Sequence, residues 1–426
     1  MTGILLIMQI TQYPFTLEGG RTPGKLLLPA GIAYLSLLVA GLCAIEMDFA
    51  RVADRRMNYP IFFALTLPLL LLAVRNVLHG SFYKIRLFTL ALVAYAAWCG
   101  LSALWAPSSM ETLMHAIIMG ITVLLAMGAA PYSSRETILI FAKVSLLIFI
   151  ASWVALVVSP AYALEKKGIW RLCGVMMHEF RLGYLCSVAM ISCMIWLCMS
   201  DAQQRPSLPF IFILGLAAVV TLFATQTRSL LIYTFLCVCL VGVLHLKGGM
   251  RMAFIGMLAL SCLLLGVFSD EVMQMMSRGE ADGTLTGRTF VWERTLSMVP
   301  EALLRGHGFA SFDNTIYDSA WGGYRAPHAH NAWIMALFET GVVGTVLMSA
   351  VLLFLLVQSF RLSFQLGRPS FTFYVTLLGV MSSLTGLIYG GKMATLMGLS
   401  FVLFYQENRE RVEILRQRSG AAAGRI

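Results

Sequence analysis

Five stretches of this chain, 26–45, 144–164, 182–200, 206–227 and 369–391, hold no Asp, Glu, Lys or Arg. Each is as long as the roughly 20 apolar residues a helix needs to cross a bilayer core. They are apolar all round, neither alternating nor amphipathic, which is the pattern of buried or lipid-facing helices. Only 12% of the 426 residues are charged and 59% are hydrophobic. A soluble domain carries about 25% charged residues, so a soluble enzyme is excluded. The predicted fold class is all-α: a polytopic membrane protein with twelve transmembrane helices and one large outer loop.

The twelve predicted spans are 26–45, 57–74, 87–106, 112–130, 138–158, 180–200, 207–225, 229–246, 252–269, 331–358, 369–390 and 393–408. Segment 3–15 is apolar but too short to span, and it reads as an interfacial or re-entrant lead-in. The chain then divides into nine spans over 1–269, an outer loop or lid over 270–330, three spans over 331–408, and a basic tail over 409–426. With both termini cytoplasmic, that side holds 17 of the 31 basic residues and 6 of the 21 acidic ones. Positive charge tends to stay inside, so the net charge of +10 reflects topology and attraction to anionic lipid. Nucleic acid is not an expected partner; the lipid bilayer is. Eight of the nine cysteines fall in or beside apolar spans, leaving Cys173 alone outside and no pair for a disulfide framework.

Residues 270–330 break the apolar pattern. They are expected to form a short helix at 270–277, a glycine-rich turn at 279–287, an amphipathic helix at 288–304 and an irregular stretch to Pro327. The segment is too small for its own core and is expected to lie as a lid against the membrane helices. A loop this long is usually functional, and this one delivers Arg325, His328, His330 and Asn331 into the start of the tenth span.

Several short motifs occur in a fixed order. Gly100-Leu101-Ser102-Ala103-Leu104-Trp105 precedes Ala106-Pro107. Thr225-Gln226-Thr227-Arg228-Ser229 forms a short turn between spans. Gly287-Arg288-Thr289 with Trp292 opens the loop helix, and Gly306-His307-Gly308-Phe309 forms a glycine turn. His330-Asn331 is followed, nine residues later, by Gly341-Val342-Val343-Gly344-Thr345. Together, over about 95–345, they resemble the O-antigen ligase family. His178-Glu179-Phe180 departs from the family's His-Pro-Asn, and no role is carried to His178.

The resemblance implies a membrane glycosyltransferase of lipopolysaccharide biosynthesis, multi-pass in the bacterial inner membrane with its site facing the periplasm. Its donor would be a polymerised glycan on undecaprenyl pyrophosphate, and its acceptor the lipid A-core oligosaccharide. The chemistry suits the residues. Arginine pairs with phosphate oxygens and stays charged, so Arg228 and Arg288 are expected to hold the pyrophosphate as it gathers charge. His330 is the expected general base for the acceptor hydroxyl. His328, placed on another helix face, is the weaker choice, and Asn331 is expected to cap the helix or orient His330. Arg325 joins this cluster, and Gly341 and Gly344 resemble a small-residue packing face. Glu339 is expected to be a buried hydrogen-bonding partner. No cofactor or metal is required: there is no Asp-x-Asp or His-Glu-x-x-His pattern and no glycine-rich phosphate loop. Two other readings remain open, an O-antigen polymerase, whose acceptor is a second lipid-linked glycan, and a membrane solute or lipid transporter.

Overall fold

The computed structural model describes residues 86–128, 133–167, 169–176, 178–199, 205–267, 288–312, 328–386 and 391–423. The lead-in at 3–15, the first two predicted spans, the 270–277 helix and Arg325 lie outside the described residues.

Eleven helices are used below. They are α1 (Arg86–Leu101), α2 (Ser109–Gly128), α3 (Ser134–Val158), α4 (Glu179–Cys198), α5 (Leu208–Thr225) and α6 (Arg228–His245). The rest are α7 (Gly248–Val267), α8 (Arg288–Met298), α9 (Ala332–Leu366), α10 (Phe371–Ser383) and α11 (Gly391–Ala423). Ten of them coincide with predicted spans, and α8 is the loop helix. Five of the ten, α3, α4, α5, α6 and α9, are long and apolar enough to cross a membrane.

Helix α5 shows why the chain reads as a membrane protein. Its inward residues Ile211, Leu214, Ala218 and Leu222 are buried, while Phe212, Leu216, Val220 and Phe223 on the opposite face are exposed. A water-facing helix would carry polar residues there. Its start is set by Pro209 in the first turn, where a missing N–H costs nothing. Its end is Gln226 in the left-handed conformation, which forces the tight turn into α6.

Helix α4 is the central post, packed against α5, α6 and α10, and its Trp196 is fully buried. Helix α9 packs on α1, α10 and α11, and α11 on α2. At one end of the bundle Glu407 accepts hydrogen bonds from the Ser370 hydroxyl and from the Phe371 and Thr372 amides. It thereby caps α10 from a neighbouring helix, and Arg368 pairs with both Glu407 and Glu410.

Four expectations change. The loop helix ends at Met298 and continues as a tighter turn, Val299–Ala302, because Pro300 cannot donate the next helical hydrogen bond. The basic stretch after 408 is helical through Ala423 as the continuation of α11; its Glu, Arg, Leu and Gln are strong helix formers whatever their hydropathy. Helix α9 runs to Leu366, eight residues beyond the predicted span, and ends on left-handed Gly367. A small antiparallel hairpin, β1 (Leu164–Lys167) and β2 (Ile169–Leu172), sits between α3 and α4, a departure from the all-α class predicted.

Candidate active site

Helix α9 is broken near its start, and the break organises the site. Gly341 has φ 65° and ψ −169° within the helix, a region open essentially to glycine alone. The carbonyls of Phe338 and Glu339 accept from the amides of His307 and Gly308, both at 2.9 Å. On the other side the amides of Val342 and Val343 donate to Leu303 and Leu304, at 2.8 and 3.3 Å. The glycine turn is thus threaded into the break and satisfies the backbone groups that the lost helical turn exposes. A Cβ on Gly306 would lie 2.4 Å from the Glu339 carbonyl, and one on Gly341 2.3 Å from the Leu304 oxygen. Gly341 is therefore not part of a smooth packing face, as expected from sequence, but the point of main-chain contact. Gly344 does meet a neighbour closely: its Cβ would lie 3.1 Å from Trp98.

The corner between α1 and α2 grips the same turn. The Ser102 hydroxyl accepts from the Phe309 amide at 2.8 Å and donates to the Cys99 carbonyl. The Thr112 hydroxyl donates to the Phe309 carbonyl at 2.8 Å. The motif at 100–105 was legible, but the work of Ser102 and Thr112 was not, since their partner lies some 200 residues away in sequence.

At the entry to α9, Asn331 accepts from the Trp333 and Ile334 amides and is the N-cap, as expected. His330, immediately before it, is left-handed with φ 51°. That turn brings the His328 and His330 rings together, with centroids 4.1 Å apart. The expectation that His328 sits on another helix face is corrected, because neither residue is helical. The Nδ1 of His328 accepts from the His330 amide at 3.2 Å, which places the His328 proton on Nε2.

Helix α8 docks on this entry. Trp292 donates its indole N–H to the Ala329 carbonyl at 2.7 Å. Val291 and Val299 form a small separate core with Phe312, Ala329, Met335 and Phe338. This seat sets Arg288 near His330. Burial and then the Arg288 guanidinium push the His330 imidazole down to about 4, so at neutral pH it is unprotonated and able to accept a proton.

Arg228 opens α6 in a turn fixed by a 2.8 Å bond between the Thr225 and Thr227 hydroxyls. Gly183 of α4 lies beneath it; a Cβ there would sit 2.8 Å from the Thr227 hydroxyl. Among the described residues neither Arg228 nor Arg288 makes a hydrogen bond or ion pair, and both are half-buried. Arg171 and Arg368, by contrast, are committed to carboxylates. The structure joins Arg288, His328, His330 and Asn331 in one place and attaches Gly341 to it through the glycine turn. No described hydrogen bond or ion pair joins Arg228 to that group.

Glu339 is buried as expected. It lines a small cavity behind the α9 entry with Tyr95, Phe309, Ala332, Ala336, Thr340, Met348 and Met393. Sequence reading also missed a grouping at the hairpin, where Glu165, Cys173 and Glu179 bring ligand atoms within 4.8 Å of one another. Arg171 reaches Glu179 at 2.9 Å and supplies positive charge there. His178 caps α4, its Nδ1 accepting from the Phe180 amide, a local structural role.

Comparison with known proteins agrees with the motif reading. Residues 210–349 match the family described as O-antigen ligase, a segment that includes Arg228, Arg288, His330 and Gly341. The chain is also similar to the exopolysaccharide production protein ExoQ of Rhizobium meliloti (strain 1021), 29% identical over 94 residues. That match covers 20% of this chain and 22% of the relative's length.

Proposed function

We propose, from the O-antigen ligase match over 210–349, that the protein is a membrane glycosyltransferase. It moves a polymerised glycan from undecaprenyl pyrophosphate to the lipid A-core oligosaccharide at the periplasmic face of the inner membrane. The observation that carries the reading is the docking of α8 on the α9 entry through Trp292 and Val291, which sets His330 and Arg288 side by side. One residue accepts a proton, and the other meets the charge of the leaving pyrophosphate.

Arg228 and Arg288 bind the pyrophosphate oxygens, and their stabilisation grows as the bond to the anomeric carbon breaks and charge gathers on the phosphate. His330 takes the proton from the acceptor hydroxyl as the new glycosidic bond forms. Pyrophosphate beside Arg288 offsets the guanidinium charge, which raises the imidazole from its low resting value and strengthens it as a base when the donor is present. The step needs no metal: the arginines supply the countercharge.

The similarity to an exopolysaccharide production protein favours a second reading with the same chemistry, in which the acceptor is another lipid-linked glycan. A deletion strain separates the two. Polymerised glycan on undecaprenyl pyrophosphate beside bare lipid A-core supports the ligase. Accumulation of single repeat units supports the polymerase, and normal glycan profiles contradict both.

A further inference from the structure

His330 is one of three non-glycine residues in the described structure with a left-handed backbone. Such a conformation persists only where the surroundings over-determine it. On one side the restraint is local: the His328 imidazole holds the His330 amide. On the other side it comes from α10, outside the segment that matches the ligase family. Gly386, itself left-handed with φ 70°, lies main chain to main chain against His330. A Cβ on Gly386 would sit 2.4 Å from the His330 carbonyl carbon, 2.5 Å from its Cα and 2.9 Å from the Asn331 nitrogen.

The turn that carries Gly386 is closed by three successive main-chain hydrogen bonds. Leu384, Thr385 and Gly386 donate in succession to Met381, Ser382 and Ser383 at 3.2, 3.4 and 3.2 Å. Ser383 is also tied to the α9 entry, its hydroxyl accepting from the Trp333 indole N–H at 2.9 Å while donating to the Val380 carbonyl. Helix α10 thus holds the chain at His330 through Gly386 and three residues later through Trp333. The direction of an imidazole follows its Cα–Cβ bond, so a backbone that cannot turn aims the ring. Misplacement by about 1 Å can cost about 10²-fold in rate.

We propose that the turn closing α10 is a positioning element for the catalytic base, with Gly386 as the residue whose missing side chain lets that turn seat against His330. The inference rests on the reading of His330 as the base.

The test uses the full-length protein in lipid nanodiscs with undecaprenyl-pyrophosphate glycan as donor and lipid A-core as acceptor. Gly386→Ala is expected to lower kcat on the order of 10²-fold with donor KM unchanged, measured on the folded protein that accumulates in the membrane. Gly367→Ala is the control: that glycine is also left-handed, but nothing lies within 4 Å of its Cβ position, and it is expected to keep wild-type kcat. Trp333→Phe, which keeps an aromatic ring but removes the bond to Ser383, is expected to lower kcat by a smaller factor, again without a change in donor KM. Wild-type kcat in Gly386→Ala overturns the proposal. So does an equal loss in Gly367→Ala, or a donor KM that rises as kcat falls. If Gly386→Ala fails to accumulate, Trp333→Phe decides, and wild-type kcat there overturns it. His330→Gln run in parallel separates the two ideas. An inactive His330→Gln beside a fully active Gly386→Ala sinks the positioning role alone, whereas an active His330→Gln sinks the base and the positioning role together.

Discussion

Gly341→Ala tests whether the broken helix holds the site together. The native φ of 65° and ψ of −169° lie in a region that costs a residue with a side chain about 1–3 kcal/mol. The new methyl would also sit 2.3 Å from the Leu304 oxygen, so loop and helix must separate. Four backbone hydrogen bonds cross that contact, from His307, Gly308, Val342 and Val343, each contributing about 0.5–1.5 kcal/mol. The expected loss is about 3–9 kcal/mol. The bonds join one turn to one break, so the loss appears first as local opening while the bundle stays folded. Hydrogen exchange at those four amides is the assay. At about 1.4 kcal/mol per tenfold, protection should fall at least ~10²-fold, and glycan transfer should be lost with it. Gly367→Ala, strained but open, should cost only about 1–2 kcal/mol and leave the four amides protected. Wild-type protection and transfer in Gly341→Ala would refute the reasoning.

Three further outcomes are expected. Arg228→Lys should lose most transfer at normal membrane levels, because an ammonium keeps the charge but not the paired contact with phosphate oxygens; a wild-type rate removes that role. Arg288→Gln should move the acidic limb of kcat/KM, which reports the free protein, to higher pH. Removing the guanidinium lifts one cause of the depressed His330 value while burial, the larger cause, keeps the limb below the ordinary histidine range; a limb that stays in place contradicts the proximity of the two groups. His328→Ala should retain measurable transfer in the lipid-linked donor assay, since its Nδ1 serves the His330 amide; complete loss would make the pair a single unit.

Hydropathy made the helices legible because a membrane span is apolar on both faces, as the buried Leu214 and exposed Leu216 of α5 show. It said nothing about backbone conformation. The break at Gly341 and the left-handed turn at His330 are dihedral facts, and a run such as Gly341-Val342-Val343-Gly344 reads as continuous helix. Helix ends were misplaced where charge and helicity part company, as in α11, whose Arg409–Arg416 stretch is polar yet helical. The ordered motifs pointed to Arg288, His330 and Asn331, which the fold does bring together. Their supports were not legible, because Ser102, Trp333 and Gly386 act through partners distant in sequence. Arg228 was read from the same motifs, and what connects it to the site is the expected pyrophosphate and not a described contact.

The most direct measurement is transfer of glycan from purified undecaprenyl-pyrophosphate donor to lipid A-core by His330→Gln, with donor binding followed on the same preparation. Glutamine keeps hydrogen-bonding capacity but takes no proton at neutral pH. The account predicts a loss of about 10²–10⁴-fold in rate with donor binding retained, because the arginines and not the histidine hold the pyrophosphate. Transfer at the wild-type rate would show that His330 accepts no proton and would contradict the account.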